Sequence, residues 1–394
     1  MTQPPRLEDV DFALDALPGD VLHQTLHRFR ARGPVQPTRF GGLPAFVITS
    51  HKALEEAFLD EHAFPGHRMY QASFEPAIGR SFISDPDPAS HLLYRKLATP
   101  AFRSRAVASY EQSGLAALAH ELVDRLEGRD AFDLVKDFTA RFPYLVISRL
   151  LGLPRDREDA FHGWALALLH YRDDPAAGDA ARASISAFLE PILEARRRAP
   201  RNDVISELLR VEVEGRKLTD EEILSHVRLL FPTGGETTHG SLGNLLSALF
   251  LNEGAWAALC RQPEKIPAAV AEGLRYDTPI AAIPRLSRAE PTRFRGVEIP
   301  ADTWVLFAIA GANHDPEAVR DPDRFDVDRV QPPNLVFGRG PKSCPGLHLA
   351  RRNMAVALEV LTRRLPDVEL VDREAAMPRR TVLRAPEALR VRRR

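Results

Sequence analysis

The stretch Phe337-Gly338-Arg339-Gly340-Pro341-Lys342-Ser343-Cys344-Pro345-Gly346, residues 337–346, decides how the rest of the chain is read. Its glycines let a tight loop approach something large and flat. The pattern predicts Cys344 as a helix N-cap with Pro345 at the first helical position, where its missing N–H costs nothing. A helix N-terminus favours thiolate, the form of cysteine that binds metal. No second Cys or His stands at zinc spacing, which disfavours tetrahedral zinc and iron–sulfur ligation. One thiolate on a glycine loop suits an axial ligand of haem iron, whereas a lone cysteine elsewhere is usually a small buried hydrophobe. A phosphate loop is rejected, because Pro341 stands where the glycine before the lysine must be.

The surroundings of this loop are those of a globular chain. With 394 residues and 44% hydrophobic side chains there is ample material for a core, which excludes a disordered or fibrous protein. A formal charge of −1 gives no global attraction to nucleic acid or anionic lipid. Two cysteines, Cys260 and Cys344, are too few for a disulfide framework and fit a reducing cytoplasm. No signal peptide and no run of about 18 apolar residues is readable, so a soluble protein is expected, without a membrane span. Neither repeats nor Gly/Ser-rich linkers interrupt the chain, and residues 1–394 read as one domain.

Helical periodicity dominates in 110–128, 157–170, 181–198 and 347–365, while strand-like runs are short, near 45–50, 292–299 and 304–310. The expected fold class is mainly α with a small β component. The longest helical signal, 218–250, opens with a capping box, Thr219 and Glu222. Pro232 and Gly234-Gly235 then weaken it, and Glu236, Thr237 and Thr238 put polar groups in an apolar segment. Either two helices meet there at a polar turn, or a long core helix is opened where a ligand sits. Glu272 and Arg275, and likewise His91 and Arg95, lie one turn apart on helical segments and alone mean little. His23 and His27, also one turn apart, read as surface residues because no third metal ligand is obvious.

Together these pieces resemble the cytochrome P-450 superfamily in its soluble bacterial form, over nearly the whole chain and in the right order. FGRGPKSCPG resembles that family's haem-binding loop, with Cys344 as axial ligand, Phe337 packing beside it and Gly338 and Gly346 shaping it. EGLR matches the pair that locks the core, Glu272 and Arg275, and PDRFDVDR supplies Arg324 as the third member of that triad. His91 and Arg95 in HLLYR and Arg285 in IPRLS match positions that hold haem propionates. TGGETT looks like the oxygen-activating groove of a long central helix above the haem, with Glu236 and Thr237 as the acid–alcohol pair. Two positions depart from the pattern. Lys342 stands where the family usually has His or Arg, and reaches a propionate only as a point charge. Thr233 replaces Ala or Gly and could narrow or polarise the pocket.

The resemblance implies the cytochrome P-450 fold and a haem-thiolate monooxygenase. One atom of O2 enters a hydrophobic small molecule, with haem b as cofactor and O2 as co-substrate. Electrons come from NAD(P)H indirectly, through ferredoxin and ferredoxin reductase, because no flavin or iron–sulfur region is readable in the chain. Substrate contacts are expected from 66–85, 231–238, 280–284 and 385–387. The protein is expected to be a cytoplasmic monomer without a nucleic-acid or membrane partner. Two rivals stand beside this reading. One is a peroxide-driven or isomerising haem-thiolate enzyme, which retention of Glu236 and Thr237 argues against; the other is a haem-binding sensor or carrier without turnover.

Overall fold

The computed structural model describes residues 4–102, 114–330 and 334–394. A central helix, Asp220–Leu251, runs through the main hydrophobic core, and almost every residue from Ile223 to Leu229 and from Thr238 to Leu249 is buried. A helix apolar on all sides belongs inside a protein rather than on its face. Thr219 caps it as expected: its hydroxyl accepts the Glu222 N–H, and the Glu222 carboxylate accepts the Thr219 N–H at 2.9 Å.

Of the two readings, the meeting of two helices at a polar turn does not occur; one helix runs on through Pro232 and Thr238. Its polar residues turn their hydroxyls back on the helix. Thr233 donates to the Leu229 carbonyl at 2.6 Å, Thr237 to Thr233 at 2.6 Å, Thr238 to Gly234 at 2.8 Å and Ser241 to Thr237 at 2.8 Å. Such back-bonding satisfies the hydroxyls and tolerates a proline inside the helix.

The helices Phe142–Leu151, Glu158–Leu169, Pro175–Arg198, Ile266–Tyr276 and Leu347–Arg364 pack around this axis. The signal over 110–128 becomes Leu115–Asp124, and residues 110–113 lie outside the described residues. A four-stranded sheet stands to one side, in the order Val35–Phe40, Leu43–Ile48, Trp304–Phe307, Ile283–Leu286. Trp304–Phe307 is parallel to Leu43–Ile48 and antiparallel to Ile283–Leu286, with Phe307 opposite Ile48 and Ile283. Its alternate side chains fill a second core with Phe58, Phe64 and Phe294. The register delivers Arg285 to the buried face. Among the described residues no helix is long and apolar enough to cross a membrane.

Three buried histidines set an acid limit on this fold. Burial pushes His23, His226 and His239 below their ordinary value, His226 to about 4. The unfolded chain therefore binds more protons than the folded one below about pH 6.5, and stability falls as pH falls through that window. The carboxylates with lowered values, such as Asp11 and Asp85, act only further down. Thermal midpoints measured from pH 8 to 5 should decline below about pH 6.5. A midpoint that stays level between pH 7 and 5 would contradict this account.

Candidate active site

Cys344 sits in a loop held almost entirely by backbone bonds. Its N–H donates to the Phe337 carbonyl at 2.8 Å, Ser343 N–H to Gly340 at 3.1 Å, and Gly338 N–H to Leu335 at 2.9 Å. Gly338 and Gly340 adopt φ of 69° and 72°, a left-handed conformation that side chains other than glycine rarely take, which explains the glycine spacing. The helix that follows begins at Leu347 with Gly346 as N-cap. Cys344 is therefore not the cap expected of it and stands two residues before the observed one, because the turn Pro345-Gly346 intervenes. Burial pushes its thiol up, opposed by the backbone of Gly346 and the charge of Arg95. A coordinated metal ion would deprotonate such a thiol outright.

Beneath this loop lies a buried ion pair. Arg275 donates to Glu272 through Nε at 2.9 Å and Nη2 at 2.8 Å, and neither side chain is exposed. Arg275 Nη1 also reaches the carbonyls of Asn313 and Pro322 at 3.1 and 2.8 Å. Asn313 in turn accepts the Leu335 N–H through its side chain at 3.1 Å, so the pair is tied to the start of the cysteine loop. The third member is not the expected one. Arg324 is exposed and pairs with Asp326, giving only its carbonyl to Arg275 at 3.3 Å. Arg329 reaches Glu272 instead, Nε to Oε1 at 3.3 Å, from a side chain only 9% exposed. The turn after Asp321 directs position 324 outward and folds 329 back.

His91 and Arg95 lie one turn apart on the helix Pro88–Ala98 and both grip the loop. His91 Nε2 is 3.2 Å from the Pro341 carbonyl and Nδ1 is 2.5 Å from that of Phe82. Arg95 Nη2 donates to Ser343 at 2.6 Å, whereas its Nη1 is buried without a partner. Lys342 donates to Ile83 at 3.1 Å and lies 3.1 Å from His91 Nδ1; burial, with repulsion from Arg285 and Arg95, pulls it down to about 8. Arg285 is buried with its guanidinium 5.6 Å from the Phe307 ring centroid; burial pulls it down to about 10, and among the described residues it makes no hydrogen bond.

Cations this close, none of them in a salt bridge among the described residues, fit the two propionates of a haem. The orphaned donors of Arg95 and Arg285 fit best, and His91 and Lys342 largely spend theirs on backbone carbonyls. This is the observation on which haem binding beside Cys344 rests. Phe337 lies half-buried under Arg351, whose guanidinium is 5.3 Å from its ring centroid.

Glu236 and Thr237 lie on the central helix. The Thr237 hydroxyl is turned to the Thr233 carbonyl, and the Glu236 carboxylate accepts from Tyr144 Oη at 2.8 Å. Segments 280–284 and 379–385 pair through Ala281 N–H to Thr381 at 2.8 Å and the bridge between Ile280 and Val382. They meet the central helix at Asn244, whose amide donates to Asp277 and Arg384 carbonyls, both at 3.0 Å. Half-buried Thr233, Thr237, Ile280, Ile283, Val382 and Ala385 remain along that seam.

Sequence reading missed two features. Arg384 forms a buried pair with Asp277, Nε to Oδ1 at 2.6 Å, and no local signal marks it. His23 is buried rather than on the surface, stacked 4.0 Å from His314, while His314 and His27 both bind Asp323 at 2.8 and 3.0 Å. His27 Nδ1 lies 2.5 Å from Arg30 Nη2, so the group is a hydrogen-bonded chain with a cation at its end.

Known proteins are similar to this chain in sequence and in fold. The family model for Cytochrome P450 matches residues 265–388. Cytochrome P450 107B1 of Saccharopolyspora erythraea is 32% identical over 368 residues, covering 89% of this chain and 90% of that protein. Vitamin D(3) 25-hydroxylase of Pseudonocardia autotrophica is 31% identical over 374 residues, 91% of each. Among solved structures, cytochrome P450 CYP109Q5 from Chondromyces apiculatus superposes with a TM-score of 0.87 at 32% identity, over 98% of this chain and 99% of that one. The loop around Cys344, the buried pair beneath it, the mainly helical fold and these relatives agree: the chain belongs to the cytochrome P450 family and is a haem-thiolate monooxygenase.

Proposed function

We propose that the enzyme inserts one atom of O2 into a hydrophobic small molecule, using electrons passed from NAD(P)H through a separate ferredoxin and its reductase. The observation that carries the cofactor assignment is the Arg95 guanidinium, bonded to Ser343 beside the cysteine with Nη1 buried and unpartnered. Bound there, haem supplies oxygen activation, and a thiolate ligand favours O–O cleavage. Cys344 would be that ligand; Arg95 and Arg285 would hold the propionates; Glu272, Arg275 and Arg329 would keep the loop rigid. Thr237 and Glu236 would hold and move protons at the hydroxyl and carboxylate. The half-buried residues at the seam would exclude water from an apolar substrate. Vitamin D(3) 25-hydroxylase and the Steroid C26-monooxygenase of Mycobacterium tuberculosis, 33% identical over 312 residues, make sterol-like compounds the first to screen.

A basic surface supports the partner assignment. Residues 339–394 hold 14 Lys+Arg against 6 Asp+Glu. Many of these pair locally, as Arg392 and Arg394 do with Glu369. An open hollow of about 790 Å³ is lined by Phe337, Gly338 and Arg339 of the cysteine loop and by His348, Arg351 and Arg352 of the helix after it. Steering by such a surface is screened beyond roughly 8 Å at physiological salt. Reduction by an acidic ferredoxin should therefore slow as salt rises. Arg351→Glu with Arg352→Glu should slow it about fivefold or more, with substrate affinity intact. Stopped-flow reduction indifferent to both would point to another surface. The reaction itself is tested by screening fatty acids, steroids and vitamin D3 for a spin-state shift of the ferric protein, then for NADPH-dependent product with surrogate redox partners. Spin shifts without product would instead favour a sensor or carrier.

A further inference from the structure

The glycines ahead of Glu236 are occupied from outside the helix. A Cβ on Gly235 would lie 2.5–2.7 Å from the ring atoms of Tyr144, and one on Gly234 3.0 Å from Ile147 Cδ1. Both side chains come from the crossing helix Phe142–Leu151. Gly235 is therefore the residue that lets an aromatic ring press on the central helix, one position before the acid. The Tyr144 hydroxyl then donates to Glu236 Oε2 at 2.8 Å. Tyr144 is 5% exposed; burial and the adjacent carboxylate push its phenol well above the ordinary value, which keeps it a donor.

Tyr144 also borders a cavity of about 200 Å³, lined further by Arg141, Ser148, Asp159 and His162. Arg141 and Asp159 are exposed, which links the cavity to solvent. The His162 ring lies 4.6 Å from that of Tyr144, and burial holds it below its ordinary value. His239, on the central helix, faces Thr139 at 3.1 Å. The groups around the carboxylate are thus Tyr144, His162 and His239, with Arg141 and Asp159 at the mouth.

We propose that Tyr144 is the positioning residue for proton supply, its hydroxyl fixing Glu236 between the solvent-linked cavity and Thr237. A hydronium ion arriving from solvent through the cavity gives a proton to the phenol oxygen as the phenol gives its own to the carboxylate, and water is left behind. One proton moves inward, the tyrosine is regenerated and no electron is transferred. This inference rests on the monooxygenase reading above.

Tyr144→Phe keeps the ring and removes only the hydroxyl. In the haem-loaded enzyme, with surrogate ferredoxin and vitamin D3 as probe, product per NAD(P)H should fall about threefold or more while peroxide and the solvent isotope effect rise. Probe affinity and thermal midpoint should stay near wild type. Adding Tyr144→Phe to Glu236→Gln should cost nothing further, because both act through one bond. A second readout needs neither substrate nor reductant. The ¹³Cζ resonance of Tyr144, identified by its loss in Tyr144→Phe, should move in Glu236→Gln. Should Tyr144→Phe fold poorly, Gly235→Ala displaces the ring and should reproduce the coupling defect. Wild-type coupling in Tyr144→Phe, or a resonance indifferent to Glu236→Gln, overturns the proposal. A wild-type enzyme that makes no oxygenated product, with a resonance that still responds, sinks the reaction reading and leaves the positioning standing.

Discussion

Cys344→His should still admit haem, and its reduced carbon-monoxide complex should lose the red-shifted Soret band that a thiolate ligand gives. Product formation should fall about 100-fold or more, beyond the ten- to hundredfold typical of losing an outer-shell partner of a metal ligand. The reasoning is local. Cys344 is the one sulfur in a loop whose backbone bonds, left-handed glycines and surrounding cations all converge there. The other cysteine, Cys260, is half-buried with its thiol pushed up to about 11 by burial, and lies on the helix Ala255–Arg261. An unchanged Soret band in Cys344→His would remove Cys344 as ligand.

Glu272→Ala should be the most damaging substitution outside the loop. It leaves the fully buried Arg275 charge without its carboxylate, and also removes the carboxylate that Arg329 and the Asp326 N–H reach. Breaking one side of a buried pair costs about 3–5 kcal/mol. Against a typical total of about 5–15 kcal/mol, that is a fifth or more of the stability. The expected result is a urea midpoint lowered in proportion and a haem-to-protein ratio well below one. Because Asn313 links the pair to the loop at Leu335, the loss should reach the cofactor before the fold is gone. Arg324→Ala serves as the control. Its side chain is exposed and its carbonyl survives substitution, so its stability should change by less than about 0.5 kcal/mol. Equal losses in the two variants would return Arg324 to the triad.

What was legible in the sequence was local. The capping box at Thr219, the periodicity of Leu347–Arg364 and the glycine spacing around Cys344 are each set within a turn or two, and the structure keeps them. Failures came where a tertiary contact decides. Two arginines in PDRFDVDR could reach Glu272, and only the path of the chain after Asp321 selects Arg329 over Arg324. Pro232 and the paired glycines weaken a helix in isolation, yet a buried helix packed on all sides tolerates them. The glycines owe their place to Tyr144 and Ile147, about ninety residues earlier, a contact that no window of sequence displays. His23 looked like a surface residue because its partner, His314, is remote in sequence.

The central claim is oxygen insertion at a haem beside Cys344, and isotope labelling tests it most directly. The purified enzyme, given surrogate ferredoxin, NADPH and a compound chosen by its spin-state shift, should be run under ¹⁸O2 in ordinary water. The account predicts one ¹⁸O atom in each molecule of product. Product carrying oxygen only from water, or none formed despite reduction of the haem, would contradict it.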